Sequence, residues 1–280
     1  MPTTHHHEDH DRGLAFDVST LLSRRRTLQL LGGVGLGALM GCSSSGEDAG
    51  TAASSSTAAA GTSGSTTTGS GEDCAVVPEE TAGPFPGDGS NGVDVLSQSG
   101  VVRSDITSSF GTSTTTAAGV PLVMELSLLD SSSGCAPLGG AAVYVWHADG
   151  LGRYSMYSSG VEDENYLRGV QVSDADGRLR FTSIFPGAYP GRWPHVHFEV
   201  YASVEDATGG GRPLRTSQLA FPQDASEAVY ATEGYDGSTA NLAAMSIDTD
   251  MIFQDGYGDQ MATMAGDAST GYTATLPVTV

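Results

Sequence analysis

Leu122-Val123-Met124-Glu125-Leu126-Ser127-Leu128 carries a large apolar residue at every second position, the period of a β-strand with one face turned to a core. The same period returns at Val143 and Val145 and at Val196, Phe198 and Val200. Further strands are predicted over residues 168–173, 178–184, 215–221 and 272–280, separated by turn signals such as Asp176-Gly177 and Pro186-Gly187. Helical patterning is weak and confined to residues 226–231 and 239–245, and no internal repeat is evident. Many short, mostly antiparallel strands with glycine-rich turns predict an all-β sandwich with long loops, one domain over residues 74–280.

Upstream of residue 74 the composition changes. Residues 43–73 are dominated by Ser, Thr, Ala and Gly, which cannot bury enough apolar surface to offset the entropy of ordering and so predict a flexible tether. Before it, Ser23-Arg24-Arg25-Arg26-Thr27 leads into an apolar stretch from Leu28 to Met40, too short to cross a bilayer. A basic run, a short apolar region and then small residues is the pattern of an export signal, and the paired arginines favour the twin-arginine route. Leu39-Met40-Gly41-Cys42 resembles a lipobox, with Met40 unusual at its position, which makes Cys42 a candidate for lipidation. Residues 1–42 are thus expected to direct the domain outside the cytoplasm, with a lipid anchor as its membrane contact. His5, His6, His7 and His10 precede this signal and would be discarded with it.

The net charge of −21 arises from 33 acidic residues against 12 arginines, with no lysine. Such a surface repels nucleic acid and anionic lipid, so neither is expected as a partner. The 39% apolar content is enough for a sizeable core. Three cysteines, Cys42, Cys74 and Cys135, are too few for a disulfide scaffold and lack the short paired spacing of a structural zinc site.

The chemistry concentrates in Arg192-Trp193-Pro194-His195-Val196-His197-Phe198. Histidines two apart on a strand project from one face, and here the apolar set Val196, Phe198 and Val200 takes the other, so both imidazoles are free to reach one ion. Tyrosines in glycine-rich turns lie nearby in sequence, in Gly152-Arg153-Tyr154-Ser155 and in Pro186-Gly187-Ala188-Tyr189-Pro190. Taken singly, a His-x-His strand is more often a surface pair, and each tyrosine a turn aromatic.

Together, the runs WHADGLGRYS and YLRGVQVSDADGRLRFTSIFPGAYPGRWPHVHFEV, preceded by PEETAGPFP and VVRSDI, resemble the intradiol ring-cleavage dioxygenases from about residue 74 to 221. The resemblance implies Fe(III) held by Tyr154, Tyr189, His195 and His197. Two phenolates and a hydroxide would balance a hard trivalent cation. It also implies Arg192 beside the substrate's developing negative charge and Gln218 near the metal. Tyr189 would be the ligand that leaves when an aromatic diol binds, while the other three stay. The implied reaction inserts both atoms of O2 between the two hydroxyl-bearing carbons of a catechol-type ring, giving a muconate-type dicarboxylate.

Trp146 and Trp193 read as packing residues, and Glu79 and Glu80 as structural. Extracellular relatives commonly carry a cysteine where this chain has Ala148. In an exported domain, Cys74 and Cys135 are then the candidate disulfide. A non-catalytic, tethered metal-binding sandwich is the alternative reading. A metal-dependent hydrolase leaves the tyrosines without a use. Residues 151–165 and 224–236 are expected to shape the substrate pocket, and no segment identifies an oligomer interface.

Overall fold

The computed structural model describes residues 74–280. The export signal, Cys42 and the tether lie outside the described residues. Nine strands form two packed sheets: β1 (Pro121–Asp130), β2 (Ala136–Pro137), β3 (Ala142–Trp146), β4 (Arg168–Val172), β5 (Arg178–Ile184), β6 (His195–Tyr201), β7 (Arg215–Ala220), β8 (Thr263–Asp267) and β9 (Gly271–Thr279). One sheet runs β2-β1-β9-β8, with β5 also paired to β1, and the other runs β4-β3-β6-β7. β1 pairs antiparallel with β5 and parallel with β9.

The alternation of β1 does what its period predicts. Leu122, Met124, Leu126 and Leu128 are all buried and meet Val143, Val145, Val196, Phe198, Val200 and Leu219 from the facing sheet. Each such side chain contributes roughly 1.5–3 kcal/mol by leaving water. The Asp176-Gly177 signal marks a tight turn. Asp174 Oδ1 accepts from the backbone N–H groups of Asp176 and Arg178 at 2.9 and 2.8 Å. That turn carries the chain from β4 in one sheet to β5 in the other.

The sequence pattern suggests strands buried on one face only, but β3 and β6 are buried at every position. Their outer face is covered by a second apolar cluster that includes Val95, Leu96, Val101, Tyr144, Trp146, Tyr154 and Tyr201. The helices are short: α1 (Val204–Thr208), α2 (Gln223–Tyr230) and α3 (Ser238–Ala243). α2 and α3 fall on the two weakly helical segments, whereas α1, β2 and β8 had no clear periodic signal. Among the described residues no helix is long and apolar enough to cross a membrane. Cys74 and Cys135 are bonded, with their Cα atoms 5.7 Å apart.

Candidate metal centre

Two long connections and one strand build the site. His195 and His197 stand on the outer face of β6, Tyr154 follows β3 in the connection to β4, and Tyr189 and Arg192 lie between β5 and β6. The Tyr154 loop is organised by Asp149. Its Oδ1 accepts from the N–H groups of Leu151 and Arg153, both at 3.0 Å, and its Oδ2 accepts from Arg153 Nε and Tyr166 Oη at 3.0 and 3.1 Å. The Tyr189 loop is braced from the 224–236 segment, where the Tyr230 and Tyr235 hydroxyls donate to the carbonyls of Pro186 and Phe185.

Four donor atoms converge. Tyr154 Oη lies 3.4 Å from Tyr189 Oη and 3.4 Å from His195 Nε2, Tyr189 Oη lies 3.2 Å from His195 Nε2, and the two Nε2 atoms are 3.1 Å apart. Tyr154, His195 and His197 are buried, and Tyr189 is partly exposed. Two donors each about 2.0–2.1 Å from one ion and set roughly at right angles stand about 3 Å from one another. The spacing therefore suits a shared cation. Among the described residues no group of three or more His, Cys, Asp or Glu is placed to hold a metal ion, so a cation at this centre would need the two phenols as donors.

Protonation supports the same use. His195 Nδ1–H donates to the Trp193 carbonyl at 2.5 Å, which leaves Nε2 as a bare lone pair facing the other three donors. His197 Nδ1 is buried without a partner in hydrogen-bond geometry, near a Thr81 carbonyl that already accepts from Gln218 Nε2 at 3.1 Å. Burial first, and then the Arg192 charge, hold both histidines well below their ordinary range. Burial and the neighbouring Tyr189 push the Tyr154 phenol up. Buried or half-buried donors facing one another in this way would be stabilised by a shared cation.

The surroundings fix these side chains. Trp146 is the cross-strand partner of His197 and lies flat on its ring, 4.9 Å between centroids at 5°. Its place on the His197 ring goes beyond the general packing role that the sequence suggests. Gln218 is opposite His197 in the β6–β7 register and accepts from Arg192 Nη2 at 2.6 Å. Trp193 packs, donating Nε1–H to the Phe221 carbonyl.

The N-terminal arm covers the centre. Gly83 sits at φ +70°, and a Cβ there would stand 3.3 Å from His197 Cε1, close enough to press on the imidazole. Phe85 rests on the Tyr154 ring, 5.1 Å between centroids. Arg168, buried on β4, ties this arm to the Tyr154 loop by donating to the carbonyls of Phe85, Pro86 and Ser155 and to the hydroxyls of Ser155 and Tyr144. Glu79 pairs with Arg215 at 3.2 Å. Glu80 is pushed up to about 7 by burial and Asp255, against the pull of Arg192.

Sequence reading missed three anchors: Asp149, Arg168 and Asp250. The Asp149-Gly150 turn signal was available for the first. Arg168 lies in the YLRGVQV run, where nothing local marks its role, and Asp250 carries no local signal.

Comparison with known proteins finds dioxygenases. The dioxygenase family model matches residues 102–226. The chain is 34% identical over 105 residues to a chlorocatechol 1,2-dioxygenase of Rhodococcus opacus, covering 31% of this chain and 39% of that protein. It is 36% identical over 100 residues to a protocatechuate 3,4-dioxygenase beta chain of Burkholderia cepacia, covering 31% and 40%. The matched stretch thus spans about two-fifths of these curated relatives' length. The solved structure of an intradiol ring-cleavage dioxygenase from Tetranychus urticae superposes with a TM-score of 0.59 at 25% identity, over 74% of this chain and 94% of that one. The stretch matched by the dioxygenase model contains Tyr154, Tyr189, His195 and His197, and over that stretch the chain is similar to the ring-cleavage dioxygenases named above.

Proposed function

We propose that the protein is a non-haem Fe(III) dioxygenase that cleaves a catechol-type aromatic with O2 between its two hydroxyl-bearing carbons, giving a muconate-type dicarboxylate. The observation that carries this reading is the convergence of two phenol oxygens and two imidazole nitrogens, neighbours 3.1 to 3.4 Å apart, on one buried face. Fe(III), when bound, would supply a Lewis-acidic centre at which diol and O2 react.

The residues divide the remaining work. Tyr154, His195 and His197 are buried and packed, which suits donors that stay. Tyr189 is the most exposed of the four, which suits a donor that yields its place to the diol and takes up a substrate proton at Oη. Arg192 is buried beside them. Burial opposes its charge, but Tyr189, Asp250 and Tyr154 outweigh that and hold it above its ordinary value, so it can stabilise negative charge developing on the ring. Gln218 orients the guanidinium. Phe85 and Trp146 keep water from the back of the centre.

The same reading assigns the mature domain to the outside of the cytoplasm. It is supported by the Cys74–Cys135 bond, of a kind that persists in oxidising compartments, and by the signal-like residues 1–42.

The test is a spectrum followed by an oxygen measurement. Iron-loaded protein should be reddish from tyrosinate-to-iron charge transfer, should change colour on adding catechol, and should then consume O2. Stoichiometric iron with no O2 uptake on any catechol would sink the proposal. A colourless, zinc-loaded protein would instead favour the tethered binding module.

A further inference from the structure

Asp250 lies beyond the stretch that the dioxygenase model matches, which ends at residue 226, and in no motif of the sequence. It is nevertheless fully buried against the candidate centre. Its Oδ2 accepts from Arg192 Nε at 3.0 Å and from the Trp193 N–H at 2.6 Å, and its Oδ1 accepts from the N–H groups of Ile252 and Phe253 at 2.8 and 3.4 Å. The carboxylate is thereby pinned from its own segment, which the buried side chains of Ile247, Ile252 and Phe253 hold in the main core. Arg192 is gripped from two directions, since its Nη2 reaches Gln218 Oε1 at 2.6 Å. A guanidinium has a long, flexible stem, and a planar fork held at both Nε and Nη2 has one orientation.

We infer that Asp250 is a positioning residue, which aims the Arg192 guanidinium at the reacting ring and makes the C-terminal segment part of the site. The inference rests on the role given to Arg192 under the proposed function. A purely structural Asp250 would staple residues 246–260 to the sheet and leave Arg192 indifferent to it.

The experiment is a double-mutant cycle of Asp250→Asn and Arg192→Lys. Lysine keeps a positive charge beside Asp250, so the buried carboxylate is not stranded, but cannot span Asp250 and Gln218 as a fork. Iron content, kcat and KM for catechol are measured on all four proteins. Asp250→Asn should retain iron, change KM by less than about threefold and lower kcat on the order of 10- to 100-fold. In the Arg192→Lys background the same change should cost less than about threefold. An equal loss of kcat in both backgrounds would overturn the inference.

If Asp250→Asn does not accumulate as folded protein, Asp250→Glu keeps the charge and displaces the carboxylate, and wild-type kcat in that variant would overturn it. Failure of the functional proposal is seen separately, as absent O2 uptake in the unsubstituted iron-loaded protein. The cycle is then read as affinity for 4-nitrocatechol under anaerobic conditions. Asp250→Asn should weaken this binding about tenfold beside Arg192 and less than about threefold beside the lysine, and equal weakening in both overturns the inference.

Discussion

Removing the Cys74–Cys135 bond should lower stability by about 4 kcal/mol while leaving the four donor side chains assembled. The bonded residues are 61 apart in sequence, and chain-entropy loss for closing a loop of that length corresponds to about 4 kcal/mol at 25 °C. For a domain of this size each kcal/mol moves the melting temperature by about 2–4 °C, so a fall of roughly 8–16 °C is expected. The loop encloses the arm that covers the centre. That arm has holds of its own: Val77 N–H donates to the Thr279 carbonyl at 3.0 Å, Glu80 N–H to the Thr216 carbonyl at 2.8 Å, and Gln218 Nε2 to the Thr81 carbonyl. Tyr154, Tyr189, His195 and His197 all lie outside the loop. The assay is calorimetry on the metal-free Cys74→Ala/Cys135→Ala double variant, with iron uptake measured at 25 °C on the same preparation. A melting temperature within about 2 °C of the parent, or a large loss of iron uptake in folded protein, would refute the reasoning.

Replacing Tyr154 or His195 with Ala should lower both iron content and turnover, whereas Tyr189→Phe should retain much of the iron and lose turnover; metal analysis beside O2 uptake checks this, and full iron with normal turnover in the first two variants would remove the assigned site. His147 is buried, donates Nδ1–H to the Ala148 carbonyl and accepts from Ser183 Oγ, and burial lowers it to about 4. Its folded value lies below the unfolded one near 6.5, so its contribution is complete above pH 6.5 and is lost as pH falls towards 4, up to about 3 kcal/mol. Urea unfolding across that window should show a shallower pH slope for His147→Gln, and an unchanged slope would contradict the assignment. Gly83→Ala should cost about 1–2 kcal/mol through its left-handed backbone and weaken iron binding by displacing His197; unaltered iron affinity would mean that the arm does not press on the centre.

Much of this molecule could be read locally. The period-two runs identify β1, β3 and β6 because a strand with one face in the core must alternate. The same period puts His195 and His197 on one face without any knowledge of neighbours. The Tyr154 and Tyr189 turns are visible because glycine and proline mark where the chain reverses. The sequence pattern also predicts a boundary near residue 74, after residues 43–73, which are poor in large apolar residues.

Other features depend on which distant segments meet. That β3 and β6 are buried on both faces follows from residues 81–110 folding over the outer face of their sheet, a contact between segments dozens of positions apart. Gln218 faces His197 only because of the β6–β7 register, and a slip of one residue would turn it away. Asp250 meets Arg192 across 58 positions, Arg168 meets Phe85 across 83, and Trp146 lies flat on His197 through cross-strand pairing. No local composition encodes these meetings. Strand register and loop closure decide them, because a buried charge or donor is stable only where the fold brings its partner.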